Sequence, residues 1–269
     1  MNTPAHSTGH ASAPQAIVLA AGKGTRMKSD LPKVVHPVGG RPMVCAVVDA
    51  CLAVGCSRVV AVVGYKQELV REALASYGSK VVFAEQLEQL GTGHAVRSAE
   101  PLFEQEKRRP GHATFVLAGD GPLIRPATLG TLLNKHHNSR AAATLATSII
   151  ADPTGYGRIS RDASGKFQRI VEQKNCSPAE LLITEVNPSY YCFDAEELFQ
   201  ALTRVERNPA SQEYYITDVP ELLLKEGKRV EVIEAVPPED ILSINTLEEL
   251  AKVDAIYRGR NRGSTGAGS

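Results

Sequence analysis

Short apolar runs alternate with amphipathic segments through the first half of the chain. The apolar runs predict buried strands, and the segments between them have the spacing and end residues of helices. In chain order the predicted strands are 16–19, 58–63, 81–84 and 114–118, and the predicted helices are 42–54, 66–77 and 93–106. This alternation predicts an α/β fold with a doubly wound, parallel sheet.

The second half is richer in β-forming segments. Strands are predicted over 141–150, 185–193 and 229–235, a hairpin over 155–159 and 167–171, and helices over 196–202, 216–225 and 247–257. We therefore expect one continuous domain with a Rossmann-like, mostly parallel mixed sheet over residues 15–258, in two parts, 15–140 and 141–258. Residues 1–14 are predicted to be a disordered extension and residues 259–269 a flexible tail.

Composition narrows the class of protein. The 269 residues carry equal numbers of basic and acidic side chains, 30 of each, and form no long basic block, which argues against general nucleic-acid binding. No apolar run reaches 18 residues, so no membrane span is expected. The five cysteines are irregularly spaced and form no C-x-x-C pair, a pattern typical of reduced thiols in a cytoplasmic protein.

A glycine-rich loop follows the first predicted strand: Leu19-Ala20-Ala21-Gly22-Lys23-Gly24-Thr25-Arg26-Met27, with Pro32-Lys33 just behind it. Glycines let a backbone approach a phosphate closely, and the basic side chains can neutralise its charge. The spacing is neither that of a P-loop nor that of the dinucleotide fingerprint. A Gly-x-Gly turn alone is also compatible with a tight strand-to-helix connection.

The full string resembles the signature of sugar-nucleotide pyrophosphorylases, Leu-x-x-Gly-x-Gly-Thr-x-Met followed after four residues by Pro-Lys. The resemblance implies a fold of the nucleotide-diphospho-sugar transferase type, with 15–140 holding the nucleotide and 141–258 the second substrate. It implies that the nucleotide lies on Leu19, Ala20, Ala21, Gly22 and Gly24. Charge on the phosphates would be stabilised by two catalytic residues, Arg26 and Lys33.

Asp120 follows the predicted strand 114–118 directly, in Gly119-Asp120-Gly121-Pro122-Leu123. A carboxylate at the end of a core strand is costly unless it binds something, and Mg²⁺ prefers carboxylate oxygens together with substrate phosphates. The alternative is a turn or helix cap before Pro122. Pyrophosphorylases carry Gly-Asp-x-Pro-Leu here, which implies that Asp120 binds Mg²⁺. By the same resemblance Asn245 shares the metal, although it could instead cap the last helix.

The segment Gln86-Leu87-Glu88-Gln89-Leu90-Gly91-Thr92-Gly93-His94-Ala95 resembles one found in bacterial N-acetylglucosamine-1-phosphate uridyltransferases. The Gln86 amide can donate and accept, which suits a uracil edge, and Gly91-Thr92 offers N–H groups at a helix start. Without the resemblance, Gln86 would be interpreted as a solvated loop residue. His94 is interpreted as structural.

Four further segments occur in the same order in those uridyltransferases: 155–159, 171–175, 185–187 and 213–218. The resemblance implies that Gly157, Glu172 and Asn187 hold the sugar hydroxyls and the acetamido group. Tyr214, Tyr215 and Thr217 are candidates for the same pocket, with helix-start packing an equal alternative for Tyr214.

Three departures from the family pattern matter. Asn187-Pro188-Ser189 stands where the family has Asn-Thr-Gly or Asn-Ser-Gly, and Ser243 replaces a glycine before Asn245. The bifunctional members continue into a β-helix acetyltransferase domain of hexapeptide repeats, and this sequence contains no such repeats. We therefore expect this chain to carry the uridyl-transfer half only, which leaves room for a separate acetyltransferase as a partner.

The expected function is Mg²⁺-dependent transfer of UMP from UTP to N-acetylglucosamine 1-phosphate, giving UDP-N-acetylglucosamine and pyrophosphate for cell-envelope precursors. The alternatives are a pyrophosphorylase for another sugar 1-phosphate with UTP or dTTP, and a non-catalytic nucleotide-sugar sensor. Molybdopterin cytidylyltransferase-like proteins share the opening loop but not the later sugar-pocket segments.

Overall fold

The computed structural model describes residues 12–24, 27, 29–242 and 244–265, the last five of these as backbone only. The strands alternate with helices in the order expected of an α/β fold. They are β1 (Gln15–Ala20), β2 (Pro37–Val38), β3 (Arg41–Pro42), β4 (Arg58–Val63), β5 (Val81–Glu85), β6 (Ala113–Ala118), β7 (Ala143–Ile149), β8 (Gly157–Arg161), β9 (Phe167–Val171), β10 (Glu185–Asp194) and β11 (Val230–Glu234).

The helices cover the two faces of the sheet. They are α1 (Met43–Ala53), α2 (Gln67–Ala73), α3 (Thr92–Ser98), α4 (Pro126–Ser139), α5 (Ala195–Leu202), α6 (Val219–Lys225) and α7 (Leu247–Thr265). Single 3₁₀ turns or short 3₁₀ helices occupy Lys33–Val35, Ala75–Lys80, Glu100–Phe103, Glu106–Arg108, Gln173–Asn175, Glu180–Leu182 and Ile216–Asp218.

The sheet has the order β11-β7-β10-β6-β1-β4-β5, with the hairpin of β8 and β9 attached to β10. The pairs of β1 with β4 and β6, of β4 with β5, and of β7 with β11 are parallel. Strand β10 runs antiparallel to both of its neighbours, β6 and β7. The predicted doubly wound, mostly parallel mixed sheet is therefore confirmed, and strands from both predicted parts of the chain belong to it.

Alternation along the central strands places a core on each face of the sheet. In β1, Ala16 and Val18 belong to one buried cluster with the residues of α1, whereas Ile17 belongs to the other with those of α3 and α5. All three are fully buried, as expected of a parallel strand covered on both sides. The carboxyl ends of β1, β4 and β6 consequently meet at one edge, where ligands bind in such folds.

Helix α4 was not predicted from the sequence. The helix is polar on average, so its apolar periodicity is weak in the sequence. Of its 14 residues, the buried ones are Thr128, Leu129, Leu132 and His136. Two local signals identify it in retrospect: Pro126 at its first turn and the i, i+3 spacing of two leucines on its inner face.

Two predicted helix boundaries differ most from those observed. The helix predicted over 93–106 ends at Ser98 and continues as separate 3₁₀ turns, because Pro101 cannot donate the hydrogen bond that a continuous helix needs. Helix α7 runs to Thr265, so the tail boundary predicted at residue 259 falls inside a helix. Arg260, just beyond that boundary, donates to the Leu123 carbonyl oxygen at 3.2 Å, which ties this turn of the helix to the domain.

Among the described helices, none has both the length and the apolar composition required to cross a bilayer. The five cysteines all lie within the described ranges as free thiols, and four of them are buried.

Candidate active site

The glycine-rich loop leaves β1 at the ligand-binding edge and brings Lys33 against it. Gly24 has φ +68°, and a Cβ at that position would lie 2.6 Å from the Cβ of Lys33. Only glycine permits both the left-handed backbone and this close approach. Lys33 begins a 3₁₀ turn after Pro32, and its side chain reaches Asp120, which follows β6 at the carboxyl end of the sheet.

The Lys33 ammonium lies between two side chains that are far apart in the sequence. It forms an ion pair with the Asp120 carboxylate and donates to Asn245 Oδ1 at 2.7 Å. Asp120 follows β6 and Asn245 precedes α7, so three separate segments converge here. The Lys33 and Asp120 side chains are 14% and 23% exposed, which lets a ligand reach them.

Asn245 does not cap α7. Thr246 does, because its hydroxyl accepts from the Glu249 N–H at 3.1 Å while the Glu249 carboxylate accepts from the Thr246 N–H at 2.9 Å. This is a capping box. The Asn245 N–H also donates to that carboxylate, at 2.5 Å, which directs the Asn245 amide oxygen towards Lys33.

The donor set fits a hard divalent cation. One carboxylate and one amide oxygen already approach the same positive group, and Mg²⁺ in proteins takes one or two such ligands together with phosphate oxygens. In the described part of the chain, no cluster of three or more His, Cys, Asp or Glu side chains offers an all-protein cage. Asp120 and Asn245 therefore suit a cation that arrives with a phosphate ligand.

Two adjoining cavities open beside these residues. The loop-side cavity, about 200 Å³, is lined by the glycine-rich loop and the start of α3, with Leu19, Gly22, Gly24 and Thr92 among its residues. The hairpin-side cavity, about 230 Å³, is lined by Gly157, Glu172, Asn187, Tyr190, Ile241 and Asn245, among others. Lys33, Ala118, Asp120 and Ser189 line both cavities. The predicted catalytic lysine and metal ligand thus lie at the junction of two binding spaces.

The hairpin-side cavity collects the predicted sugar-binding residues. Glu172 is largely buried, which raises the pKa of its carboxyl group, and its Oε1 accepts from the Thr217 hydroxyl at 3.0 Å. Asn187 is 5% exposed, and its Nδ2 donates to the Tyr191 hydroxyl at 2.6 Å. Both side chains are therefore held in place by neighbours where they line the cavity.

Ser189 shows how this chain accommodates its departure from the family pattern. It has φ +65°, a backbone conformation that favours glycine, at the position where the family carries one. Its N–H donates to Asn187 Oδ1 at 3.2 Å, and the irregularity in the pairing of β10 with β7 falls between Val186 and Tyr190. The turn beside the cavity is thus formed with serine, a residue that lines both cavities.

Gln86 has a structural partner in this arrangement. Its side chain is 4% exposed, and its Nε2 donates to the Gly91 carbonyl oxygen at 3.0 Å and lies 3.1 Å from His94 Nδ1. Gly91 has φ +95° and packs against the Tyr214 carbonyl oxygen, where a Cβ would lie at 2.5 Å. Gln86 and Gly91 therefore shape the loop that leads to Thr92, while the contact of Gln86 with a uracil ring stays a prediction.

Tyr214 does not lie with the predicted sugar-binding residues. Its ring lines a separate pocket with His94 and Arg97, and its main chain exchanges hydrogen bonds with Leu90 and Gly93, each at 2.8 Å. Its observed position corresponds to the packing alternative. Arg26 lies outside the described residues, so its role stays a prediction.

Sequence reasoning missed several residues of the hairpin-side cavity, notably Tyr156, Tyr190 and Ile241. Tyr156 lies between Gly155 and Gly157, and this position in a predicted sugar-binding segment could have identified it. Tyr190 and Ile241 gave none, because strand alternation marks Tyr190 only as buried. A larger cavity, about 550 Å³, lies at the opposite edge of the sheet, and none of the predicted site residues that the structure describes line it.

Asp218 gives the protein a predicted pH dependence of stability. Burial, reinforced by the Glu221 and Glu172 carboxylates, raises the pKa of Asp218 from 3.8 to about 6. The native state therefore binds this proton more tightly than the unfolded state, so the free energy of unfolding should fall as the pH rises from 4 to 6. Asp218→Asn should make urea unfolding less dependent on pH and stabilise the protein above pH 6 by roughly 1 kcal/mol, after allowance for solvent screening.

Asp162→Asn provides the control of opposite sign. Hydrogen bonds from the Ser164 side chain and the Lys166 N–H lower the pKa of Asp162, so its contribution is present at neutral pH and lost on acidification. A steeper fall of stability between pH 4 and 6 in Asp218→Asn than in the wild type would contradict the assignment.

Comparison with known proteins gives the relatives of this chain. A family model described as a MobA-like NTP transferase domain matches residues 16–205. The bifunctional protein GlmU of Brevibacillus brevis is 46% identical over 245 residues, which cover 91% of this chain and 52% of that protein. GlmU of Bacillus subtilis is 42% identical over 245 residues, which again cover 91% of this chain and 52% of that protein. The chain thus spans about half the length of these relatives.

Solved structures show the same fold at low sequence identity. A UDP-glucose pyrophosphorylase in complex with UDP-glucose superimposes with a TM-score of 0.72 at 18% identity, over 92% of this chain and 99% of that one. A Bacillus anthracis protein provisionally named glucose-1-phosphate thymidylyltransferase, in complex with sucrose, superimposes with a TM-score of 0.74 at 19% identity. The superposition covers 91% of this chain and 96% of that one. Together with the family model, which matches more than two thirds of the chain, these findings show that it belongs to the MobA-like NTP transferase family.

Proposed function

We propose that the protein transfers UMP from UTP to N-acetylglucosamine 1-phosphate, releasing pyrophosphate and forming UDP-N-acetylglucosamine. The observation that carries this proposal is the position of Lys33 and Asp120, which line both cavities at their junction. A group-transfer reaction between two substrates needs its charge-stabilising groups at the point where the substrates meet.

We assign an in-line displacement at the α-phosphorus to the residues at the cavity junction. The loop-side cavity would hold UTP, and the sugar phosphate oxygen would approach from the hairpin-side cavity. The Lys33 ammonium would neutralise charge on the phosphates, and no protein nucleophile is required. Mg²⁺, held by Asp120 and Asn245, would supply further charge neutralisation of the phosphate oxygens.

The hairpin-side cavity supports a sugar with several hydrogen-bonding groups. Glu172 and Asn187 supply a carboxylate and an amide to its lining, and Gly157, which pairs with Asn187 across β8 and β10, lines the cavity with them. Buried polar groups of this kind discriminate strongly, because a sugar that lacks the matching group leaves them unpaired. We assign them to the hydroxyl and acetamido groups.

The test is pyrophosphate release by the purified protein with Mg²⁺ and UTP, across a panel of sugar 1-phosphates. We expect a marked preference for N-acetylglucosamine 1-phosphate over glucose 1-phosphate. Comparable kcat/KM values for the two would contradict the acceptor assignment, and binding of UTP without release of pyrophosphate for any sugar would favour a sensor.

The second candidate is a pyrophosphorylase for another sugar 1-phosphate, with UTP or dTTP. Ser189 favours it specifically, because this side chain stands at the cavity junction where the uridyltransferases carry glycine. The same panel, run with both nucleotides, separates the two candidates. The proposal also includes a cytoplasmic location and a separate acetyltransferase as a partner.

A further inference from the structure

Asp240 is a buried carboxylate that the proposed reaction does not use directly. It is 1% exposed and forms ion pairs with two arginines, Arg125 and Arg260. Arg125 Nε lies 2.5 Å from Asp240 Oδ2, and its Nη2 donates to Oδ1 at 3.0 Å. We call these three residues the Asp240 clamp. A carboxylate buried to this degree is tolerated only when such partners replace its hydration.

The clamp joins three parts of the chain that are distant in sequence. Arg125 precedes α4, Asp240 lies in the segment after β11, and Arg260 belongs to α7. Arg260 also donates to the Leu123 carbonyl oxygen, and Glu239 pairs with Arg125 at 2.9 Å. The segment that carries Asp240 is thus fixed against both the loop after β6 and the last helix.

The backbone beside Asp240 forms part of the hairpin-side cavity. The Asp240 carbonyl oxygen accepts from the Tyr190 hydroxyl at 3.2 Å, and the Ile241 carbonyl oxygen accepts from the Tyr156 hydroxyl at 3.0 Å. Tyr156, Tyr190 and Ile241 all line that cavity. A displacement of Asp240 would therefore move the wall of the hairpin-side cavity.

Helix α7 is attached to the domain at a second point. Asp254 accepts from the Gly39 N–H at 2.6 Å, and the Tyr257 ring packs so closely on Gly39 that a Cβ there would lie 2.5 Å from it. With Arg260 paired to Asp240, α7 is held at three positions in its middle, Asp254, Tyr257 and Arg260. The capping box at its start, through Glu249, connects the helix to Asn245.

We propose that Asp240 is a positioning residue, whose clamp holds Asn245 and the Ile241 wall in place for the reaction at the cavity junction. This inference deepens the proposed function and rests on it for its kinetic readouts. Asp240 and Arg260 lie beyond residue 205, where the match to the family model ends. Groups that orient a ligating residue typically change activity or metal affinity 10–100-fold when they are lost.

The test is Asp240→Asn in the full chain, which retains size but removes the charge that both arginines need. We expect kcat to fall roughly 10–100-fold and the Mg²⁺ concentration for half-maximal rate to rise, because Asn245 loses its fixed position. The KM for UTP should change less than about twofold, because no clamp residue is among the described residues that line the loop-side cavity. Amide exchange in peptides containing Asp240 and Ile241 should become faster without added substrates.

Glu106→Gln is the matched control. Its carboxylate is also largely buried and pairs with an arginine, Arg58 at 3.5 Å, but at the opposite edge of the sheet. It should lower the thermal midpoint while leaving kcat and the Mg²⁺ response at wild-type values. Arg260→Lys, which keeps one charged donor, should retain more activity than Arg260→Ala; this pair decides the proposal if Asp240→Asn does not fold.

Two outcomes would overturn the proposal: wild-type kcat and Mg²⁺ response in Asp240→Asn, or equal kinetic losses in Asp240→Asn and Glu106→Gln. A failure of the proposed function looks different, since the wild type itself would then release no pyrophosphate. In that case the exchange measurement still decides whether the clamp holds the segment.

Discussion

Lys33→Ala should lower kcat for pyrophosphate release at least a hundredfold, equivalent to about 2.7 kcal/mol of lost transition-state stabilisation. The Lys33 ammonium stands at the junction of the two cavities, where negative charge on the phosphates would accumulate. Its side chain is 14% exposed and already directed there by Asp120 and Asn245, so it needs little reorganisation to act. The fold should remain intact, because no core packing depends on the ammonium.

The measurement is steady-state pyrophosphate release, with circular dichroism to confirm folding. Lys80→Ala is the control, since it removes the same charge from an exposed position outside both cavities. Full activity in Lys33→Ala would refute the role of Lys33. Equal losses in both variants would instead indicate an effect of net charge on substrate encounter.

Asp120→Asn should have an effect of comparable size and a different signature. The change removes the only carboxylate that approaches the Lys33 ammonium among the described residues and leaves a weaker oxygen ligand beside Asn245. We expect kcat to fall at least a hundredfold and the Mg²⁺ concentration for half-maximal rate to rise, because Mg²⁺ strongly prefers carboxylate oxygen. Lys33→Ala should lower kcat while the enzyme still responds to Mg²⁺.

A Mg²⁺ titration at saturating UTP and sugar phosphate distinguishes the two variants. Asp49→Asn, which removes a carboxylate paired with Arg41 on the surface, should titrate like the wild type. An unchanged Mg²⁺ response in Asp120→Asn would refute its assignment as a metal ligand.

The strands of the sheet could be predicted from the sequence because each carries its own signal. β1, β4 and β6 are short apolar runs bounded by turns, and a strand covered on both faces needs no other pattern. Helix α4 was not predicted because it lacks such a local signal. Only its inner positions are apolar, and tertiary packing supplies the rest of its stability.

The candidate site was predictable as a set of residues but not as an arrangement. The glycine-rich loop, Gly119-Asp120 and Asn245 each stand out locally by residue type and by position after a strand or before a helix. Nothing local shows that the Lys33 ammonium lies between Asp120 and Asn245, since 87 and 212 residues separate these pairs. Tyr214 was a candidate for the sugar pocket because of its position in a motif, yet its ring lines a different pocket. A motif position does not specify the direction in which a side chain points.

The sequence by itself determined the α/β fold, the edge of the sheet where the candidate site lies, and the chemistry of the candidate side chains. These follow from hydrophobic periodicity and from the needs of phosphate and metal ligands, which are properties of short segments. Only the tertiary structure decided which side chains meet at the cavity junction, that Thr246 rather than Asn245 caps α7, and that Asp240 is clamped by two arginines. Such contacts depend on how distant segments pack, and packing is a property of the whole folded chain.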